Sequence, residues 1–374
     1  MLTVGGQSDA FHEALRSYCY RSPRLSALEV LYLDAFWEFL AARVYPQWLA
    51  PNLITLLGGL CDLAAFALTV AHSPNLRGEA PRWVYAGSAA LLLTYQSLDG
   101  SDGKQARRTR SGSALGELMD HGLDACVIGL ITAFTVDAMG FGWSSAELWL
   151  TILGAQWAFM LTNMTLLLTG CMEIGLIDVM ELQTSMAGGR HPIARLPRRR
   201  RAHRAAPPIA SRAVGIAASL FRNALSVRHA RREAGDRDVR LGQQFFSLVV
   251  YSALVLLCFV RVREKHGMAG NQSMLLLLLC CNFCFGEMVA RMLMLRLGRV
   301  RLPVVPYSVL CLCVFVAAVE VGPIAQLLTV GLAGISFFAF FTSSVLAIAR
   351  ALQIHPFRVR GAVHWYTLRG AKQF

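Results

Sequence analysis

Eight apolar runs dominate this chain, at residues 53–71, 83–98, 115–139, 148–169, 244–262, 273–295, 303–321 and 324–349. A helix needs about 20 mostly apolar residues to cross a bilayer. In lipid the backbone must satisfy its polar groups internally, so runs of this length are read as helices. Composition agrees: 55% of the 374 residues are hydrophobic and 16% are charged, against roughly 25% charged in soluble domains. The fold class expected is an all-α polytopic membrane protein with 8–10 transmembrane helices.

The net charge of +13 is carried between those runs, at 104–110, 190–204, 228–240, 261–265 and 296–301. That pattern suits loops facing anionic lipid better than a nucleic-acid surface, and no nucleic-acid partner is expected. With the N-terminus in the cytoplasm, most basic loops fall on the cytoplasmic side; the exception is Arg261 to Lys265. No cleavable signal peptide is expected, because Asp9, His12 and Glu13 precede the first apolar run. The ten cysteines lack ligand spacing, and Cys281 and Cys284 have no second pair or histidine beside them, so packing is expected rather than disulfides or zinc.

Residues 24–46 place Leu28, Leu31, Phe36, Phe39 and Leu40 at helical spacing between Glu29, Asp34, Glu38 and Arg43. Such a helix is too charged to span and is expected to lie in the membrane interface. Two weaker runs, 174–187 and 209–227, either both span or both lie at the surface, since only an even number keeps the flanking basic loops on one side. Their composition favours the surface. The organisation expected is an N-terminal segment with the interfacial helix at 1–46 and catalytic helices at 47–187. A basic loop or weak hairpin follows at 188–242, then C-terminal helices at 243–352 and a cytoplasmic tail at 353–374.

The chemistry is expected between Asp99 and Asp124, where DGSDGKQARRTRSGSALGELMDHGLD sits beside hydrocarbon segments. Asp99 and Asp102 are three apart at the end of one run; Asp120 and Asp124 are four apart at the start of the next. Both spacings put the pair on one helix face. Two antiparallel helices would then aim four carboxylates into one pocket near the cytoplasmic boundary. Charges that close require cations, and hard oxygen donors suit Mg²⁺ or Mn²⁺, with two ions expected. Gly103 and Gly116 allow close approach, and Lys104 and Arg107 add positive charge one turn on. Metal, arginine and glycine together describe a phosphate site. An ion cluster of the aspartates with Lys104, Arg107, Arg108 and Arg110 accounts for any one of them, but poorly for all four at these spacings.

These residues resemble the signature of the CDP-alcohol phosphotransferase family, at Asp99, Asp102, Gly103, Ala106, Arg107, Gly116, Asp120 and Asp124. The surrounding QSLDGSDGKQARR and GELMDHGLD look like the eukaryotic choline and ethanolamine phosphotransferase branch, as do WLAPNLITLLG at 48–58, IDVMELQ at 177–183 and IARALQIHPFRV at 348–359. The resemblance implies a polytopic, commonly ten-helix and dimeric enzyme of the endoplasmic reticulum or Golgi. It would transfer phosphocholine or phosphoethanolamine from CDP-choline or CDP-ethanolamine to diacylglycerol, releasing CMP. By the same resemblance, Asp99, Asp102, Asp120 and Asp124 would hold the metals, and Asn52, Gly103, Arg107 and Ser113 would touch the CDP moiety.

Three residues compete for the proton of the acceptor hydroxyl. Asp124 bound to metal is a weak base; His121 titrates near neutrality and adjoins Asp120; Glu181 lies in a short apolar segment. His121 either takes the proton or supports a metal ligand, and Glu181 either takes it or pairs with an arginine. The arginine-rich region 188–242 departs from the family's pattern, and Asp62, inside the first run, has no assigned role. Two alternatives remain open: a CDP-diacylglycerol-using enzyme sharing the signature, and a cation-coupled transporter. The transporter would need neither Arg107 nor the two glycines beside the carboxylates.

Overall fold

The computed structural model describes residues 9–18, 29–170, 227, 238–267, 270–300 and 306–359. Every regular element among them is helical. Asp9–Arg16 forms α1, and Asp34–Phe39 forms α2, flanked by wider π turns at Glu29–Leu33 and Leu40–Val44. Eight longer helices follow: α3 Pro51–His72, α4 Arg82–Arg108, α5 Ala114–Asp137, α6 Ala146–Thr169, α7 Asp238–His266, α8 Asn271–Gly298, α9 Tyr307–Val321 and α10 Pro323–Leu352.

Six of these, all but α4 and α9, are long and apolar enough to cross a membrane. The two exceptions have plain physical causes. Helix α4 does not stop at its apolar run but continues through the aspartates and basic residues to Arg108. Helix α9 has 15 residues, short of the usual span. The chain is thus an integral membrane protein by these helices, while the expected weak runs at 174–187 and 209–227 lie outside the described residues.

Local chemistry sets the boundaries that matter for the site. Pro51 opens α3 after an extended Ala50, where its missing N–H costs nothing. Ser113 caps α5, its Oγ accepting from the Gly116 N–H at 3.4 Å, and Ser145 caps α6 by accepting from Leu148 N–H at 3.1 Å.

Helices α3, α4 and α5 pack together, and α8 runs through the centre against α5, α6, α7, α9 and α10. Lipid offers no hydrophobic drive between helices, so close approach at small residues does the packing. Asn282 of α8 fills the space a side chain on Gly129 would need, and Phe337 of α10 packs over Gly286, where an added Cβ would lie 3.2 Å from its ring. Outward-facing Ile324, Leu328 and Ile335 of α10 are exposed, as residues against lipid are.

Two polar clusters fix the α3–α4–α5 unit at its ends. At the end remote from the aspartate stretch, buried Asp137 accepts from Ser73 Oγ at 2.7 Å, Gly78 N–H at 3.0 Å and Tyr85 OH at 2.9 Å. At the near end, Gln105 Nε2 donates to the carbonyls of Pro46 and Leu49, each at 3.0 Å, and Arg108 donates to those of Ala41 and Tyr45. The segment before α3 is therefore stitched to the end of α4. Its Val30, Leu31, Phe36, Phe39 and Trp48 are exposed.

Candidate metal and phosphate site

Asp99 on α4 and Asp120 and Asp124 on α5 bring one carboxylate oxygen each to within 4.8 Å of one another. The two spacings predict a grouping of four; three of them meet here, and Asp102 is not in the set. The loop between the helices is short because Arg110 adopts a left-handed conformation, φ 51°, letting α5 turn back directly. Three half-buried carboxylates so close cannot all stay charged without a cation, and their donor set is all hard oxygen. The residues fit a divalent ion.

Asp102 is buried and stands apart from that trio. Thr55 Oγ1 donates to its Oδ2, while Asp124 and Arg107 are near enough to interact electrostatically. One of its oxygens is thus oriented by α3. Asp124 is oriented too, by the Tyr95 hydroxyl donating to its Oδ1 at 2.7 Å.

His121 is buried, with Nδ1 2.9 Å from Asn163 Oδ1. Asn163 Nδ2 donates to the Phe159 carbonyl at 3.0 Å, so its Oδ1 is the acceptor and Nδ1 of His121 carries the proton. The lone pair therefore sits on Nε2, 3.7 Å from Asp120 Oδ2. Glu117, one turn before Asp120, is buried and paired with Arg296 of α8, and Tyr18 donates to its Oε2 at 2.8 Å.

The remaining expected site residues among the described ones sit at the adjoining ends of α3, α4 and α5, the mouth of the site. Gly103 faces the Arg107 guanidinium, which folds back to within 3.6 Å of where a Cβ would stand, and Arg107 is exposed. Asn52 Oδ1 points toward Gly116, while its Nδ2 donates to the Pro356 carbonyl at 2.7 Å. Ser113 serves as the α5 cap. The Lys104 ammonium is engaged by Asp34 at 2.6 Å and Glu38 at 3.5 Å, tying α4 to α2. Tyr45 shares a 2.8 Å hydrogen bond with Ser101; burial pushes its phenol above the ordinary value, so it stays neutral. Glu181 lies outside the described residues.

Thr55, Tyr95, Asn163 and Pro356 were not expected from sequence. Only Tyr95 carried a signal, being four residues before Asp99 on the same helix.

Residues 48–176 match the family model for CDP-alcohol phosphatidyltransferase. That stretch is similar to the CDP-alcohol phosphatidyltransferase family. It spans α3 to α6 and encloses all four aspartates, Asn52, Arg107 and His121. Relatives include cholinephosphotransferase 1 of Xenopus laevis, 37% identical over 154 residues, covering 41% of this chain and 38% of that protein. Choline/ethanolaminephosphotransferase 1 of Arabidopsis thaliana is 38% identical over 188 residues, covering 47% and 46%. Cholinephosphotransferase 1 of Gallus gallus is 36% identical over 179 residues, covering 48% and 53%. The matched stretch thus spans about half or less of each of these relatives.

Proposed function

We propose that this protein transfers phosphoethanolamine, phosphocholine or both from the CDP ester to diacylglycerol, giving the phospholipid and CMP. The observation that carries the reading is the trio Asp99, Asp120 and Asp124 within the matched domain, with Arg107 folded over Gly103 beside it. Relatives named for choline and ethanolamine transfer supply the headgroup class. The CDP-diacylglycerol-using alternative has no such support among the relatives named above.

Asp99, Asp102, Asp120 and Asp124 would hold Mg²⁺ or Mn²⁺, two ions in our reading. A divalent ion there supplies charge neutralisation for the diphosphate and its leaving group. Arg107, exposed at the mouth, would bind the phosphates, and Asn52, Gly103 and Ser113 would border the nucleotide. The diacylglycerol oxygen forms its bond to the β-phosphorus as the bond to the CMP oxygen breaks, and CMP leaves with that electron pair. The hydroxyl proton passes to Nε2 of His121, the nitrogen that the Asn163 contact leaves unprotonated. We place the enzyme in the endoplasmic reticulum or Golgi membrane, as a homodimer, with the site facing the cytoplasm; the basic loops support that orientation.

Purified protein with Mg²⁺ or Mn²⁺, diacylglycerol and radiolabelled CDP-ethanolamine or CDP-choline should give labelled phospholipid and stoichiometric CMP. Asp120→Asn, shown to be folded, should abolish product. Full activity in that variant, or solute uptake without CMP release, would sink the reading.

A further inference from the structure

Asp62 lies in the middle of α3, fully buried, and neither carboxylate oxygen has a hydrogen-bond partner among the described residues. Desolvating an unpartnered carboxylate costs several kcal/mol. Protonation alone would not relieve this, since a carboxylic acid still has a donor and an acceptor to satisfy. A partner therefore belongs there in the working protein.

The neighbours say which partner. Thr55, Gly58 and Asp62 share the buried face of α3. Thr55 bonds Asp102; Gly58 packs on Tyr95, whose ring would lie 3.3 Å from an added Cβ; and Tyr95 bonds Asp124. One turn deeper, Asp62 interacts electrostatically with both Asp99 and Asp124. It sits ten residues beyond Asn52, about 15 Å along the helix from the mouth. The cluster is thus approached by the metal-site signature from its mouth and by Asp62 from the hydrocarbon side.

We propose that Asp62 is a fifth carboxylate supporting the metal centre, a positioning residue that reaches the divalent ion through an intervening water. It lies outside the trio's 4.8 Å set, which a bridging water accommodates. The inference rests on the metal reading of the aspartate trio and extends it to a residue outside the signature.

The test is Mn²⁺ binding to the full chain in nanodiscs, followed by electron paramagnetic resonance without nucleotide or lipid substrate. Asp62→Asn keeps the side chain's shape and removes its charge, and should weaken Mn²⁺ binding by about 10-fold or more, as loss of an outer partner of a metal site does. Asp120→Asn serves as the control for the trio. Unchanged affinity in Asp62→Asn with loss in Asp120→Asn overturns the role of Asp62 alone; unchanged affinity in both overturns the metal reading itself. Should Asp62→Asn not fold, the wild-type protein still decides, by mass-spectrometric mapping of carbodiimide labelling at Asp62. Protection by Mn²⁺ supports the proposal, and equal labelling with and without Mn²⁺ overturns it.

Discussion

The imidazole of His121 donates through Nδ1, at 2.9 Å, to Oδ1 of Asn163 on α6, a helix that contributes none of the aspartates. This contact fixes the tautomer, so the ring presents a lone pair on Nε2. Replacing Asn163 with Leu frees both the tautomer and the ring orientation. We expect kcat to fall by about 10–100-fold with little change in KM for the CDP substrate. Steady-state kinetics at saturating Mg²⁺ checks this, and a change confined to KM would assign Asn163 to substrate binding instead.

Thr55 acts on Asp102 as Asn163 acts on His121. Thr55→Val keeps the volume and loses the donor. The Mg²⁺ concentration giving half-maximal activity should rise by about 10-fold, and excess metal should restore most of the rate. A deficit that metal does not rescue would argue against orientation of Asp102 as the cause.

Glu117 is almost fully buried and depends on Arg296 and Tyr18. Arg296→Ala strands that carboxylate and should destabilise the protein by about 3–5 kcal/mol. Arg296→Met combined with Glu117→Gln removes both charges and should recover much of the loss. Thermal melting of the two proteins in the same detergent makes the comparison. Equal destabilisation would mean packing, not charge, dominates there.

Trp37 of α2 is buried against Gly100 of α4, in the space a Cβ would need. Gly100→Ala should cost about 1–3 kcal/mol by overpacking. It should also expose Trp37 to a water-soluble quencher, which tryptophan fluorescence reads. Unaltered quenching and melting would place the anchoring of α2 on Lys104 alone.

The sequence made the apolar helices and the carboxylate trio legible because both rest on periodicities within one helix. Asp99, Asp120 and Asp124 meet because two short-range spacings and one tight loop suffice. What escaped was information about helix rotation and neighbours. Asn163 lies 42 residues from His121 on α6, and no local pattern says which side of α6 faces α5. Lys104 looked like phosphate charge because it follows the aspartates; its partners Asp34 and Glu38 looked like the solvent face of an interfacial helix. The extent of α4 was missed for a related reason. Its apolar run ends near Leu98, but helix continues where side chains of α2 and the 45–49 turn satisfy what lipid cannot.

Asn52 and Pro356 stand 304 positions apart, yet one donates to the other at 2.7 Å. Among the described residues α3 is the first long helix and α10 the last, and the Pro356 segment follows α10. During synthesis, then, the mouth beside Gly116 stays unfinished until α10 has been made and inserted. A nascent chain carrying all four aspartates would still lack this wall of the site.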